Sequence, residues 1–479
     1  MTEEMPTMWK KLDLNCKNKN IILRNSSHGI WLSSLLFLAY LQTIIRNPKT
    51  IQFNYELSTT ILFGLMLQSI EIFISFTFIE QIPFWIKLLL KTVPACTTSI
   101  LINQILGQNL IFSFITGVVI MIVYYLTLMY IMKVMPRCFT FGEATIVAQG
   151  IIIFIYNCFL ILPFIDDAKT MNDQLDMILQ LGLIGVLFLI LITHVIPIFR
   201  SWYLFYPLLL FVAFTLCITT LDGKYAITIL WNFIFNDIER IIIVGVYVLL
   251  LIMAGIAVSW QIKKNRKSTT AVRKIFHILI VLVYIPGLIY QCHFLYIASV
   301  VILAVLIVLE LARVIKLWPV YEALEISVQS FIDEQDAGNI ALTPLYLLIG
   351  CSLPLWIHNS PCDLIGSTSF EFLPLISGIL SVGIGDTFAS VIGSKFGRHK
   401  WSSNSIKSIE GTIASIVAQG LFIYGLCTIN FLQLDLKLAA LCGIAVISNA
   451  LIETFINQVD NLVLPILTYI ILMYGQFFG

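Results

Sequence analysis

Apolar residues in this chain come in long runs, separated by short segments that hold most of the charge. A helix needs ~20 apolar residues, at 1.5 Å each, to cross the hydrocarbon core of a bilayer. Runs of that kind fall at 30–45, 59–79, 84–102, 110–132, 144–164, 178–197, 203–221 and 241–262. A second set follows at 274–290, 293–315, 339–357, 374–393, 409–428, 434–451 and 462–478. The pattern predicts an all-α, polytopic integral membrane protein with about 15 transmembrane helices. The first run follows a polar segment carrying Lys10, Lys11, Lys17, Lys19 and Arg24 and lacks a small-residue cleavage site, so it reads as an uncleaved first span rather than a signal peptide.

Composition agrees: 59% of the 479 residues are hydrophobic and 11% are charged, against about 25% charged in soluble domains. The net charge of +1 says nothing about partners, and no nucleic acid or protein partner is inferred. The placement of charge is more informative. Lys and Arg concentrate in cytosolic loops. With a cytosolic N-terminus, only Arg46, Lys49, Lys169, Lys224, Arg240 and Lys437 of the 28 basic residues fall on the far side. An odd number of spans then puts the C-terminus in the lumen. This orientation gathers the polar segments 263–274, 316–338, 394–408 and 452–461 on the cytosolic side. The polybasic stretch Lys263–Lys267 reads as the join between an N-terminal multi-span region, 1–262, and a C-terminal region, 263–479, that holds most of the unusual polar residues. The ten cysteines form no CxxC pair and have no metal-ligand spacing with histidine. Neither a disulfide framework nor a zinc site is expected.

Chemistry concentrates in Gly383–Thr412. Asp386 lies ~10 Å inside the cytosolic end of its span, where a carboxylate is costly and marks a function or a partner. It suits a divalent-cation ligand or a catalytic base. Ser381, Gly385, Ala389, Gly393 and Gly397 recur every fourth residue, a small-residue face for close helix packing; glycine also admits phosphate to the backbone. The loop that follows holds Lys395, Arg398, His399, Lys400 and Lys407, with Trp401 able to stack on a base or anchor at the interface and Ser402, Ser403, Asn404 and Ser405 offering small polar groups. The positive-inside rule alone would place basic residues here. A helix opening near 405–408 would present amides to phosphate, yet the chain lacks GxxxxGK[ST], so any nucleotide site is not a P-loop. Glu410, in the first turn of that helix, suits the dipole or holds a lysine or metal. Glu453 and Asp460-Asn461 flank the last turn, which reads either as a solvated acidic turn or as a second metal or nucleotide contact facing Asp386. Lys274 and His277 share a helix face: Lys274 and its neighbour Arg273 read as snorkelling cations, and His277, one turn deeper, is a further candidate. Glu310 and Arg313 read as a pair within one helix. Among the acidic residues before Gly338, Asp333, Glu334 and Asp336, the last is the best candidate because it is nearest the membrane. Glu71 and Glu143 are weaker ones.

An ordered set of segments resembles the polyprenol kinase family, and within it the dolichol kinases. The set runs RKIFHI at 273–278, LELARV at 309–314, DAGNIALTPLYLLIG at 336–350, GIGDTFASVIGSKFGRHKW at 383–401, KSIEGT at 407–412 and VDNLVLP at 459–465, with PRCFTFGEA at 136–144 in the N-terminal half. The resemblance implies a multi-pass enzyme of the endoplasmic reticulum membrane. It would move the terminal phosphoryl group of CTP to dolichol at the cytosolic face, supplying the lipid carrier for protein N-glycosylation and related glycosyl transfers. It implies a CTP-binding segment over about 394–410, drawing on Gly393, Ser394, Lys395, Gly397, Arg398, Lys400, Trp401, Lys407, Ser408 and Gly411. Asp386, Glu410 and Asp460 would be catalytic, and Asp386 and Asp460 would hold a divalent cation, Mg²⁺ in view of its preference for one or two carboxylates plus phosphates. A cytidylyltransferase acting on a lipid phosphate needs the same donor and metal. A transporter would use Asp386, Glu310 and His277 as an ion path, but the polar residues gather at one surface.

Overall fold

The computed structural model describes residues 7–46, 48, 51–78, 83–161, 170–263, 270–329, 336–358, 362, 369–402, 405 and 407–474. Most of the polybasic join, together with Asp333, Glu334, Ser403 and Asn404, lies outside these residues. The first half comprises α1 (Thr7–Asn18), α2 (Leu35–Arg46), α3 (Phe53–Phe78), α4 (Phe84–Gln104), α5 (Leu110–Val134), α6 (Phe141–Ile161), α7 (Met171–Val195), α8 (Trp202–Ile218), α9 (Ala226–Phe235) and α10 (Ile238–Lys263). The second comprises α11 (Thr270–Tyr290), α12 (Cys292–Val314), α13 (Tyr321–Gln329), α14 (Thr343–Ile357), α15 (Ser369–Leu375), α16 (Thr387–Phe396), α17 (Ile409–Thr428), α18 (Leu436–Phe455) and α19 (Asp460–Met473). The only sheet among the described residues is a two-stranded hairpin, Thr220–Leu221 with Lys224–Tyr225.

Among the described residues each apolar run is mostly helical, although the run 203–221 ends in the first strand of the hairpin and the run 339–357 opens with loop. By length and composition, nine helices among the described residues are long and apolar enough to cross a membrane, and shorter apolar helices include Ile30–Arg46, Thr343–Ile357 and Asp460–Met473. The run at 374–393 is not one regular helix: between α15 and α16 the backbone widens into a π-helical segment, Ile379–Asp386, all of it buried. Such segments are rare and gather at functional sites. Helix starts follow local chemistry. Thr140 and Glu143 form a reciprocal capping box on α6: the Glu143 amide donates to Thr140 Oγ1 (3.4 Å) and the Thr140 amide to Glu143 Oε2 (2.9 Å). Ser408 caps α17 by accepting from the Gly411 amide, and Asp435 caps α18 by accepting from the Leu438 amide.

Between helices in lipid there is little hydrophobic driving force, so association rests on close packing and polar contacts. Two apolar cores share α14 and α19. One joins them to α1–α6 through Leu12, Leu57, Phe141, Tyr346, Val463 and Tyr469. The other joins them to α11, the π-helical segment, α17 and α18 through Tyr284, Cys351, Leu380, Ile423, Ala445 and Leu464.

Polar loops collect at two poles. At one, the irregular segment 20–29 is clipped between 136–143 and 457–461. The Arg24 amide donates to Phe139 O (2.8 Å), the Gly142 amide to His28 O (2.7 Å), and Gln458 Nε2 to Ser27 O (3.0 Å). A Cβ on Gly142 would stand 2.0 Å from Gly29 O, so only glycine fits there. At the other pole, Asn172, Asn236, Arg240, Gln291, Cys292 and Cys362 line a cavity of about 380 Å³. Cys292 and Cys362 form a disulfide with a Cα–Cα separation of 5.4 Å. No disulfide framework is expected from the sequence, and this one bridge departs from that reading: residues 70 apart in sequence carry no local spacing signal, and only the fold brings them together.

Candidate functional site

Asp386 ends the π-helical segment, 1% exposed. Glycines on its N-terminal side let neighbouring helices crowd in. A Cβ on Gly383 would meet Val281 of α11 at 2.5 Å, and one on Gly385 would meet Gln419 of α17 at 2.7 Å and Asn449 of α18 at 3.2 Å. That crowding brings α11 against the carboxylate. Lys274 Nζ pairs directly with Asp386 Oδ2. His277 Nε2 lies 3.4 Å from the same oxygen and 3.3 Å from Asn461 Oδ1 of α19. Ser390 Oγ donates to Asp386 Oδ1 at 3.2 Å. Lys274 is therefore not the snorkelling cation that its place near a helix end suggests; its side chain is 11% exposed and faces inward on a buried acid.

A second cation stands beside this pair. Lys407 Nζ donates to Glu453 Oε1 at 3.0 Å, with Glu453 buried at the end of α18. Burial works against the charge on Lys407, but the carboxylates of Glu453, Asp460 and Asp386 outweigh it and hold its pKa above the usual lysine range. Asp460 opens α19 half-buried, its Oδ1 accepting from the Asn461 amide at 2.8 Å. Five elements (α11, the π-helical segment, the loop before α17, the end of α18 and the start of α19) thus bring three carboxylates and two lysines, with His277, to one pole.

The basic loop lies over this cluster's edge as a short strap. Lys400 and Ser408 form an antiparallel bridge, and the Ile409 amide donates to His399 O at 2.8 Å. Glu410 fixes the strap: its Oε1 accepts from the His399 amide (3.0 Å) and pairs with His399 Nδ1 (2.7 Å). Trp401 Nε1 donates to Thr412 Oγ1 at 3.0 Å, and its ring meets Phe455 edge-on at 5.4 Å. Ser394, Lys395, Arg398 and Lys400 are exposed. Gly393, Gly397 and Gly411 let α16 and α17 touch: a Cβ on Gly397 would lie 2.5 Å from Ser408 Oγ, and one on Gly411 would lie 2.8 Å from Ala389 O. Close packing is what the structure requires of glycine at these positions.

Other candidates sit elsewhere. Asp336 closes its own loop onto α14, accepting from the Leu342 amide (3.0 Å) and from Thr343 Oγ1 (2.7 Å). Arg313 pairs with Glu310 as expected (2.7 Å), and also with Glu325 (2.8 Å) of α13. Glu71 accepts from Ser75 Oγ within α3. Glu143 pairs with Arg24 and accepts from the Val459 amide at 3.0 Å, so the 136–144 motif docks directly on the turn that leads to Asp460. Lys274 and Ser390 are the site neighbours that sequence reasoning missed. For Lys274 the signal was its place one turn before His277; for Ser390 it was the spacing of four from Asp386.

The donor set suits a divalent cation held jointly with phosphates. Among the described residues, no group of three or more His, Cys, Asp or Glu side chains forms a closed metal site. Mg²⁺ asks less of protein: one or two carboxylates, with substrate oxygens and water completing the octahedron. Asp386 and Asp460 could supply these, and Thr387, next to Asp386, is buried with its hydroxyl unpartnered.

Comparison with known proteins gives a consistent answer. A family model described as dolichol kinase matches residues 97–347. The chain is 33% identical to the dolichol kinase of Homo sapiens over 374 residues, 74% of this chain and 68% of the human protein. It is 32% identical to that of Bos taurus over 364 residues, covering 72% and 67%. It is also 30% identical to dolichol kinase EVAN of Arabidopsis thaliana over 250 residues, covering 51% and 42%. No solved structure matches the chain.

Proposed function

The chain belongs to the dolichol kinase family, and from that premise we propose that it transfers the terminal phosphoryl group of CTP to the hydroxyl of dolichol at the cytosolic face of the endoplasmic reticulum membrane. The product, dolichyl phosphate, would supply the lipid carrier for protein N-glycosylation and related glycosyl transfers. The observation that carries the reading is the convergence of Asp386, Glu453 and Asp460 with Lys274 and Lys407 at one pole of a membrane protein.

Phosphoryl transfer needs positioning and charge neutralisation more than covalent chemistry from the protein. The dolichol oxygen attacks the γ-phosphorus, the bond to the β–γ bridging oxygen breaks, CDP leaves, and the hydroxyl proton passes to a carboxylate of the cluster. Asp386 and Asp460 would hold a divalent cation, Mg²⁺, which when bound neutralises charge on the transferring phosphate oxygens. Lys407 would meet the phosphates, with its charge secured by the surrounding carboxylates. The strap from Ser394 to Gly411 would bind the nucleotide, with Arg398 and Lys400 exposed to phosphate and Glu410 setting the strap's conformation through His399. Trp401 would position the strap through Thr412 and Phe455. The polyprenyl tail would lie between helices, where the only solvent is lipid.

Two features support the cytosolic orientation. Most basic residues fall on the side of the Asp386 cluster when the N-terminus is cytosolic. The Cys292–Cys362 disulfide lies at the opposite pole, as an oxidising lumen requires.

Membranes carrying the protein, incubated with dolichol and CTP labelled at either the γ or the α phosphate, test the reaction. Label should reach lipid from the γ position alone. Label arriving only from the α position would mean cytidylyl transfer and would end the kinase reading. Asp386→Asn should lower γ-label transfer by roughly 10²-fold or more, as loss of a charge-stabilising group does, with normal expression.

A further inference from the structure

Both oxygens of the Asp386 carboxylate are engaged by neighbouring side chains. Oδ2 carries Lys274 Nζ and stands 3.4 Å from His277 Nε2, while Oδ1 accepts from Ser390 Oγ. Lys274 and Asp386 are 11% and 2% exposed at their side chains, so neither charge has ready access to water. A divalent cation cannot take Oδ2 without displacing the ammonium. Displaced, the ammonium would have only Asp460 to turn to among the described residues, the other carboxylate that feels its charge and itself assigned to the metal. A buried charge left unpaired is costly. A nucleotide changes that balance, because its phosphates offer the released ammonium new oxygens at the moment the metal arrives.

We propose that Lys274 is a positioning residue that reserves Asp386: it fills the cation position on the carboxylate and yields it only when metal and nucleotide phosphates enter together. The inference rests on the assignment of Asp386 to the phosphoryl-transfer site, and deepens it by tying entry of the metal to entry of the nucleotide. The geometry distinguishes Lys274 from Lys407, which pairs with Glu453 and retains 41% side-chain exposure. It also explains why α11 is drawn against the π-helical segment at Gly383, where a side chain on residue 383 would push Val281 and its helix away. Ordinary metal binding would then be coupled to nucleotide binding through one ion pair.

The test is thermal unfolding of the full-length, detergent-solubilised protein, titrated with Mg²⁺ alone, CTP alone and both. The native protein should be stabilised by Mg²⁺ with CTP and hardly by Mg²⁺ alone. Lys274→Met should respond to Mg²⁺ alone, with the half-effect concentration lowered by roughly 5- to 150-fold, the span of ordinary coupling between sites. Lys274→Met combined with Asp386→Asn should lose that response, and Lys274→Arg, which keeps the charge, should behave as the native protein. The proposal is overturned if Mg²⁺ alone stabilises the native protein as fully as Mg²⁺ with CTP, if the Met variant gains no response, or if the gain survives loss of the Asp386 charge. Should Lys274→Met fail to fold, Lys274→Gln replaces it and is read in the same way; should both fail, the native titration decides. Failure of the kinase reading is separately visible, as absence of γ-label transfer by the native protein while the Mg²⁺ response of the Met variant persists.

Discussion

Replacing Gly350 by alanine puts a methyl group where the structure has no room for one. Gly350 lies on α14 against the start of α19, and an added Cβ would stand 1.9 Å from Asn461 O. Non-bonded heavy atoms settle near 3.5 Å, so the two backbones must part by about 1.5 Å, and no flexible side chain can absorb the strain. Overpacking of this kind costs about 1–3 kcal/mol of stability. The functional cost is expected to be larger. Asn461 meets His277 at 3.3 Å and follows Asp460 in the chain, so retreat of α19 withdraws one wall of the acidic cluster. A displacement near 1 Å can cost about 10²-fold in rate. The assay is γ-label transfer from CTP to dolichol by purified protein in detergent–lipid micelles, with the unfolding midpoint measured on the same samples. Gly420→Ala is the control. Gly420 is exposed on α17 with nothing near its missing Cβ, and alanine there should raise helix stability slightly with activity unchanged. Native kcat/KM and midpoint in Gly350→Ala, or equal damage in the control, would refute the reasoning.

Two further outcomes are expected. Lys407→Met should raise KM for CTP roughly 10- to 100-fold, the worth of a charge-assisted hydrogen bond of about 1.5–3 kcal/mol. Because the lysine pKa is held upward, its contribution is complete below the ordinary lysine pKa and fades only as pH rises through the higher folded value, so the native pH–rate profile should show no lysine step near neutrality; a basic limb there that vanishes in the Met variant would contradict it. Non-reducing electrophoresis after alkylation of microsomes should show Cys292 and Cys362 protected from a membrane-permeant maleimide until reductant is added, and substitution of either should free the other. Labelling of both without reductant would remove the disulfide and its support for orientation.

The helices were legible because crossing a membrane demands a long apolar run, which leaves its mark on sequence directly. What escaped were elements without that mark. α1 is short and mostly polar, α13 follows a loop, and α9 is a short helix that extends the hairpin. Within the site, Asp386, Glu453, Asp460 and Lys407 stood out because charge inside or beside an apolar helix is expensive. Lys274 did not, since a lysine near a helix end has a cheap exit to the interface; only the arrival of a carboxylate 112 residues later turns it inward. Glu143 stood in the sequence only as a weaker candidate, and its burial is a finding of the structure. The local half of its role, the capping box, follows from spacing. The contact with Val459 does not, because no periodicity connects α6 to α19.

That contact bears on how the protein is made. Glu143 and Arg24 come together within the first third of the chain, but the carboxylate's Oε1 takes its last hydrogen bond from an amide 316 residues further on. During synthesis the pair must wait through the insertion of every intervening helix. A ribosome still translating α12 has produced a membrane-inserted chain whose N-terminal clip is open. Closure of that clip by the 457–461 turn is therefore a late step of assembly, and a chain cut short before α19 would leave the buried ion pair without its last hydrogen bond.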